Sequence, residues 1–207
     1  MPCVPNLLLA LCMLLLGLPA LQGAVVVNAR FDSPMRLSQI SRFSWSQCDD
    51  LPHKGKVESL SISPDPIVIP GDLTVAVECS TSISLDSPLT LALTIEKKIL
   101  DIWIKIPCVN NLGSCAYDFC ETLDQWFPAG TTCPEPLHTY GIPCHCPFKA
   151  GTYSLPSSIF SIPDVSLPSW LEDGDYRVKG VLNNADGEVG CANLELSLKS
   201  QSESWWK

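Results

Sequence analysis

Apolar and polar residues alternate with a period of two along much of the chain from residue 42 onward. The clearest alternating stretches are residues 73–79, 89–95, 102–106, 176–180 and 192–198. Successive side chains of a β-strand point to opposite faces, so this alternation predicts strands that each bury one face. Turn-forming residues separate the stretches, and residues 183–187 predict a hairpin between the last two. The pattern predicts an all-β fold, either a sandwich or an open barrel.

One segment departs from the strand pattern. Between residues 115 and 128, Phe119, Leu123, Trp126 and Phe127 recur at roughly helical spacing, which predicts one short amphipathic helix. The next segment, residues 131–147, is rich in proline and cysteine. We expect it to be irregular, because proline cannot donate to a ladder of backbone hydrogen bonds.

The first 23 residues have the composition of a secretory signal peptide. Residues 7–18 are apolar and uncharged, and small residues follow shortly after. This apolar run is shorter than the roughly 20 residues that a membrane span needs. Residues 24–41 lack periodicity and predict a flexible N-terminal arm, while residues 200–207 extend past the last strand as a tail without an assigned role.

The chain is acidic, with a formal net charge of −9. A surplus of negative charge argues against binding to a nucleic-acid backbone. It also argues against a strong electrostatic attraction to anionic membranes at neutral pH.

Cysteines are numerous for a chain of this length. Of the 11 cysteines, Cys3 and Cys12 lie in the predicted signal peptide, which leaves nine. The nine are Cys48, Cys79, Cys108, Cys115, Cys120, Cys133, Cys144, Cys146 and Cys191. In a secreted chain such cysteines predict disulfides, but any eight of them allow 105 pairings, and the odd number leaves one thiol over.

Candidate catalytic and metal-binding residues are few. The three histidines are His53, His138 and His145, and no G-x-S-x-G motif accompanies them, so a serine hydrolase is disfavoured. The sequence Cys144-His145-Cys146 has no second pair of matching spacing, so disulfide bonding is favoured over zinc. We expect no catalytic residue, no metal and no cofactor. No N-x-S/T sequon occurs in the chain.

Two predicted loops carry a tryptophan beside aliphatic residues. The candidate site residues are Ile99, Leu100, Ile102 and Trp103 in the first loop and Leu167, Trp170 and Leu171 in the second. Clustered apolar side chains in loops of an acidic protein are unusual, and tryptophan favours a membrane–water boundary. The alternative is that both tryptophans fold back into the core, because tryptophan is highly buried on average.

Several segments resemble the lipid-recognition (ML) domain family. They are Phe43-Ser44-Trp45 with Cys48-Asp49, LSISPDPIVIPGD from residue 60, WIKIPC from residue 103, CPEPLHTYGIPCHCPFKAGTYSLP from residue 133 and IPDVSLPSWL from residue 162. The resemblance implies that residues 42–199 form a single antiparallel β-cup or sandwich of about eight strands. Its two sheets would enclose an apolar lipid cavity, with the two tryptophan-bearing loops at the cavity rim in contact with a membrane.

The resemblance also implies a disulfide pairing. Carried onto matching positions, it pairs Cys48 with Cys191, Cys108 with Cys115, Cys120 with Cys146, and Cys133 with Cys144. Cys79 has no counterpart and is expected to be the free thiol. Because it is in phase with Leu73, Val75 and Val77, we expect it to be buried and inert.

The function that the resemblance implies is that of a lysosomal activator. Such a protein reaches the lysosome through the secretory pathway and is partly secreted. It lifts GM2 ganglioside, or a related glycolipid or phospholipid, from a membrane surface. It presents the lipid to β-hexosaminidase A for removal of N-acetylgalactosamine and breaks no bond itself. Two other classes are alternatives. A secreted lipase or glycolipid hydrolase needs a nucleophile and a base, which the scarcity of histidine and the missing motif disfavour. An immunoglobulin-like binding module shares the strand pattern but should have a filled core.

Overall fold

The structure, a computed structural model, describes residues 43–48, 53–164 and 173–200. The predicted signal peptide and arm, residues 201–207 of the tail, and the second loop with Leu167, Trp170 and Leu171 lie outside the described residues. The elements are β1 (Ser44–Gln47), β2 (Gly55–Ser63), β3 (Ile67–Ile69), β4 (Gly71–Thr81), β5 (Thr90–Ile99), β6 (Ile102–Lys105), β7 (Ala116–Asp118), α1 (Phe119–Trp126), β8 (Gly151–Ile162), β9 (Gly174–Asn184) and β10 (Gly187–Ser200).

The strands form two layers, as the alternating sequence predicts. The larger sheet has seven strands in the order β1-β10-β9-β5-β6, with β3 added beside β10 and β7 beside β5. The smaller sheet has the order β2-β4-β8. All pairs are antiparallel except β3 with β10, which is a short parallel pair. The prediction of an all-β fold with one short helix and an irregular proline- and cysteine-rich segment is confirmed.

The two ends of the sandwich differ. At one end, β5 and β6 meet in a tight turn, β8 ends at Ile162 and β9 begins at Gly174. At the other end, α1 begins beside the start of β5, where the Phe119 amide donates to the Leu89 carbonyl at 2.7 Å. We call these the hairpin end and the helix end.

The main core lies between the sheets and reaches the hairpin end. Leu73, Val75 and Phe160 of the smaller sheet face Ile95, Tyr176 and other inward residues of the larger one, and all are buried. A smaller cluster at the helix end includes Leu89, Val189 and Cys120. Because inward residues follow the period-two pattern, the core is the face that the sequence predicted for β4, β5, β9 and β10.

Four disulfides are present among the described residues, and they are the pairs that the resemblance implied. They are Cys48–Cys191, Cys108–Cys115, Cys120–Cys146 and Cys133–Cys144. The first ties the chain next to β1 to β10 across a sequence separation of 143, and two others fasten the irregular segment to α1 and to itself. No helix in the described part of the chain has the length and apolar character that a membrane crossing requires.

Candidate functional site

An apolar cavity of about 290 Å³ lies between the two sheets at the helix end. Its side-chain wall is formed mainly by Leu85, Leu91, Phe119, Phe148 and Leu182. The volume is about twice that of an engineered cavity of roughly 150 Å³ that stays dry and binds benzene. By that ratio the cavity accommodates on the order of ten carbon atoms.

The aromatic wall is held by local structure. Asp118 caps α1 by accepting a hydrogen bond from the Glu121 amide at 2.9 Å, which fixes where Phe119 leaves the backbone. Phe148 exchanges two backbone hydrogen bonds of 2.8 Å with Leu85. The ring centroids of Phe119 and Phe148 are 6.0 Å apart, and the Cys120–Cys146 disulfide joins the two segments beside them. The wall is therefore pre-formed rather than carried on a free loop.

A glycine leaves room in this cavity. Gly180 lies opposite Leu93, on the inward face of β9, where its neighbours Tyr176 and Val178 are large and buried. A Cβ at this position would lie 3.5 Å from Leu93 Cδ2 and 3.8 Å from Leu91 Cδ1, which is ordinary contact. A strand glycine at an inward position removes a core side chain, and here the space that it leaves lines the cavity.

The free thiol is also part of the lining. Cys79 lies on β4, and its side chain borders the cavity. Cys79 is half-buried rather than fully enclosed, because it borders the cavity. Burial, and to a lesser degree the neighbouring Glu78 carboxylate, raises the pKa of the thiol.

The first predicted loop is a β-hairpin whose strands extend further than its sequence suggested. β5 continues through Ile99, and β6 begins at Ile102. The two residues between them, Leu100 and Asp101, have φ values of 49° and 65°, as a tight two-residue hairpin turn requires. Four of its apolar side chains are open to solvent: Leu100 at 92 %, Ile102 at 65 %, Ile104 at 48 % and Ile99 at 46 %. Ile104 was missed, although it alternates in phase with Ile102.

Trp103 lies on the other face of the same hairpin. It stands opposite Lys98, on the outward face of the larger sheet, and it is half-buried. The guanidinium carbon of Arg177 lies 4.2 Å from the centroid of its ring. Arg177 in turn forms an ion pair with Glu195, with 2.6 Å between Nε and Oε1. Trp103 is therefore neither free in solvent nor part of the core between the sheets.

The cavity and the exposed hairpin are at opposite ends of the sandwich. Between them the interior is filled by core side chains, among them Phe160, Ile162, Tyr176 and Leu198. The apolar cavity at the helix end consequently does not open beside Trp103. Sequence alternation indicated which residues face inward, but not at which end the sheets leave a space.

The histidines and the cysteine cluster show no catalytic arrangement in the described residues. Each histidine has a carboxylate oxygen within 3.5 Å of its Nδ1 atom: Glu188 for His53, Glu135 for His138 and Asp124 for His145. Cys133, Cys144 and His145 lie close enough to share an ion, but the two sulfurs are bonded to each other. A disulfide sulfur is not a thiolate, so this group does not fit a zinc site.

Two β-layers, stapled by disulfides and separated at one end by an apolar cavity, define a binding protein of the all-β sandwich class. The family profile described as "ML domain" matches residues 42–198. The chain therefore belongs to the ML-domain family.

Relatives with curated names are close in sequence. The chain is 50 % identical over 190 residues to the mouse protein named "Ganglioside GM2 activator". The match covers 91 % of this chain and 97 % of the mouse protein. It is 51 % identical over 178 residues to the protein of the same name from Macaca fascicularis. That match covers 84 % of this chain and 94 % of the macaque protein.

Solved structures are more distant. A Niemann-Pick type C2 protein from the Japanese carpenter ant has a TM-score of 0.39 and 14 % identity, over 75 % of this chain and 99 % of that one. Chicken MD-1, crystallised with lipid IVa, has a TM-score of 0.39 and 13 % identity, over 75 % and 88 % of the two chains.

Proposed function

We propose that this chain is a non-enzymatic lipid-transfer protein that holds hydrocarbon in the cavity between its two sheets. The apolar cavity of about 290 Å³ is the observation that carries the proposal. Each methylene group moved out of water stabilises the complex by about 0.8 kcal/mol, so ten buried carbons contribute roughly 8 kcal/mol. A cavity with so apolar a wall offsets the cost of lifting a hydrocarbon chain from a bilayer.

The cavity holds part of one hydrocarbon chain rather than a whole lipid. Binding a complete ceramide therefore requires the two sheets to separate further toward the hairpin end. The interior there is built from aliphatic and aromatic side chains without disulfides across the layers, so it can rearrange around an apolar guest at little polar cost.

The exposed hairpin supplies the membrane contact in this proposal. Leu100 lies in the two-residue turn and Ile102 begins β6, and both are exposed. Inserting such side chains into the interfacial region of a bilayer removes apolar area from water. Trp103 and the second loop, with Leu167, Trp170 and Leu171, belong to the same proposed rim. The described strands β8 and β9 end and begin at that end of the sandwich.

The proposed substrate and partner are those that the sequence resemblance implies, and the names of the relatives support the lipid. Both curated relatives carry the name "Ganglioside GM2 activator" and match most of this chain. We propose that the lipid is GM2 ganglioside and that the acceptor is β-hexosaminidase A, which then removes the terminal N-acetylgalactosamine. The four disulfides suit an oxidising secretory route, and we propose the lysosome as the site of action.

A reconstituted assay tests this proposal. Vesicles containing GM2 are incubated with the chain alone, with β-hexosaminidase A alone, and with both, and released N-acetylgalactosamine is measured. We expect release to need the enzyme and to rise at least ten-fold when the chain is added. Release by the chain alone would show a hydrolase, and the absence of stimulation would overturn the activator function.

A water-soluble hexosaminide is the matched control. It needs no extraction from a membrane, so the chain should leave its hydrolysis unchanged. Stimulation of the soluble substrate would mean that the chain acts on the enzyme rather than on access to the lipid.

A further inference from the structure

A lysine faces inward at the hairpin end. On β5, Leu93 and Ile95 are buried between the sheets, and Lys97 is the next residue on that face. Its partners across the sheet are Tyr176 on β9 and Ile104 on β6. Directly opposite residues of antiparallel strands share a face, so Lys97 stands at the edge of the apolar interior rather than on the outer surface.

Packing fixes the position of this charge. The Nζ atom of Lys97 lies 5.4 Å from the centroid of the Tyr176 ring, and Tyr176 is only 1 % exposed. Gly174 allows the stem to lie close, because a Cβ there would come within 2.8 Å of Lys97 Cε. The aromatic face attracts the ammonium, so the lysine is held at the mouth of the interior.

The surroundings of Lys97 are those of an amphiphile site. Ile99, Ile102 and Ile104 share its face of the hairpin and are all exposed. A cation set behind exposed aliphatic side chains matches a molecule that carries hydrocarbon next to an anionic group.

The neighbouring lysine provides the contrast. Lys98 points to the outward face, opposite Trp103, and its Nζ lies 3.1 Å from the carboxylate of Asp101. The two lysines are adjacent in sequence and equal in charge, but only Lys97 faces the apolar interior.

We propose that Lys97 selects anionic lipids, by pairing with the carboxylate or phosphate of the headgroup as the hydrocarbon passes between the sheets. This inference rests on the proposed lipid-transfer function and names the class of lipid that the rim prefers. A local cation at this position would offset the general repulsion between an anionic lipid and a chain with a net charge of −9. Any group already bound to Lys97 would be exchanged for the headgroup anion.

The test compares transfer rates of matched lipids between neutral vesicles. GM2 carries a sialic acid carboxylate, and its desialylated form has the same ceramide without that charge. Phosphatidylglycerol and phosphatidylcholine form the corresponding phosphate arm. We expect the wild type to transfer the anionic lipid about five-fold faster than its neutral partner in at least one arm. The arm that shows the preference identifies which anion the site takes.

Two glutamine variants then separate position from charge. Lys97→Gln should bring the ratio of anionic to neutral transfer close to one. Lys98→Gln, with the same loss of charge, should keep the wild-type ratio, and Lys97→Arg should also retain it. If Lys97→Gln does not fold, Lys97→Met keeps the apolar stem and serves the same purpose.

The outcomes are distinct. If Lys97→Gln and Lys98→Gln show the same ratio of anionic to neutral transfer, or if the wild type shows no preference, the role of Lys97 is overturned. The proposed lipid-transfer function is not affected by that result. Absence of transfer of every lipid by the wild type would overturn the proposed function itself, and the role of Lys97 with it.

Discussion

The Arg177 guanidinium covers the ring of Trp103, with 4.2 Å between Cζ and the ring centroid. The same guanidinium is bound to Glu195, so the stack crosses from β6 to β10 on the outward face of the larger sheet. An indole held in this way is oriented beside the exposed hairpin without being part of the core. Its removal should therefore affect the surface more than the fold.

Replacing Trp103 by alanine should weaken vesicle binding while the protein stays folded. The cation–π contact contributes about 1 kcal/mol at a partly exposed site, so the loss of stability should be of that order. Flotation with vesicles and thermal unfolding followed by circular dichroism measure the two effects. The double variant with Trp170→Ala should bind vesicles less than either single one.

The matched control is Tyr140→Ala, which removes an exposed aromatic side chain from the irregular segment instead of the hairpin. It should bind vesicles like the wild type. If the variant lacking both Trp103 and Trp170 loses the native circular-dichroism spectrum, the two indoles belong to the core instead.

The long disulfide should stabilise the chain most. Cys48–Cys191 spans 143 residues. Closing a loop of that size lowers the entropy of the unfolded chain, which raises its free energy by about 5 kcal/mol at 25 °C. Cys108–Cys115 spans 7 residues, and the same relation gives about 2.5 kcal/mol. Each disulfide can be removed by replacing its two cysteines with serine, and denaturant unfolding then measures the loss in the free energy of unfolding. That loss should be roughly twice as large for the long disulfide as for the short one. A larger loss from the short bridge would show that local packing, rather than chain entropy, dominates.

Cys79 should react slowly with water-soluble thiol reagents, and more slowly still when lipid is bound. Burial raises the pKa of its thiol, so less thiolate is present at a given pH. The pH at which the alkylation rate is half-maximal should therefore be higher than for a free cysteine peptide. Because the side chain lines the cavity, hydrocarbon in the cavity should shield it. Alkylation at equal rates with and without lipid would place the guest elsewhere.

Vesicle binding should increase as the pH falls from 7 to 5. The free side chains of aspartate and glutamate have pKa values near 4, and that of histidine is about 6.5. Acidification over this range therefore makes a chain with a net charge of −9 less negative and reduces its repulsion from anionic lipid. Flotation at both pH values measures this effect, and binding that stays flat or falls would contradict it.

Much of the fold was predictable because inward residues repeat with a period of two. That signal identified β4, β5, β6, β9 and β10, and the turn at residues 183–187 predicted the hairpin between the last two. It did not reveal β8, where Pro156 and several serines interrupt the alternation, or the three-residue strands β3 and β7. Short strands depend on neighbours that are distant in sequence, so their own residues carry little information.

The site was less predictable than the fold. Alternation placed Gly180 in phase with Tyr176 and Val178, and a glycine at an inward position was the available signal for empty space. Lys97 was not identified, because the alternation was followed only to Ile95, whereas β5 continues to Ile99 with the same parity. The end at which the sheets separate depends on how two whole layers pack, and no local pattern encodes that.

The central claim is that hydrocarbon lies between the sheets, and filling the cavity tests it most directly. Gly180→Leu adds a side chain at the cavity wall, where a Cβ meets only ordinary contacts. Ala116→Leu is the control, because it also introduces a leucine, but at an exposed position on β7. Native mass spectrometry of each protein after incubation with GM2 vesicles counts the bound lipid. The account predicts a bound lipid on the wild type and on Ala116→Leu, and at least ten-fold less on Gly180→Leu. Equal lipid occupancy in all three folded proteins would contradict it.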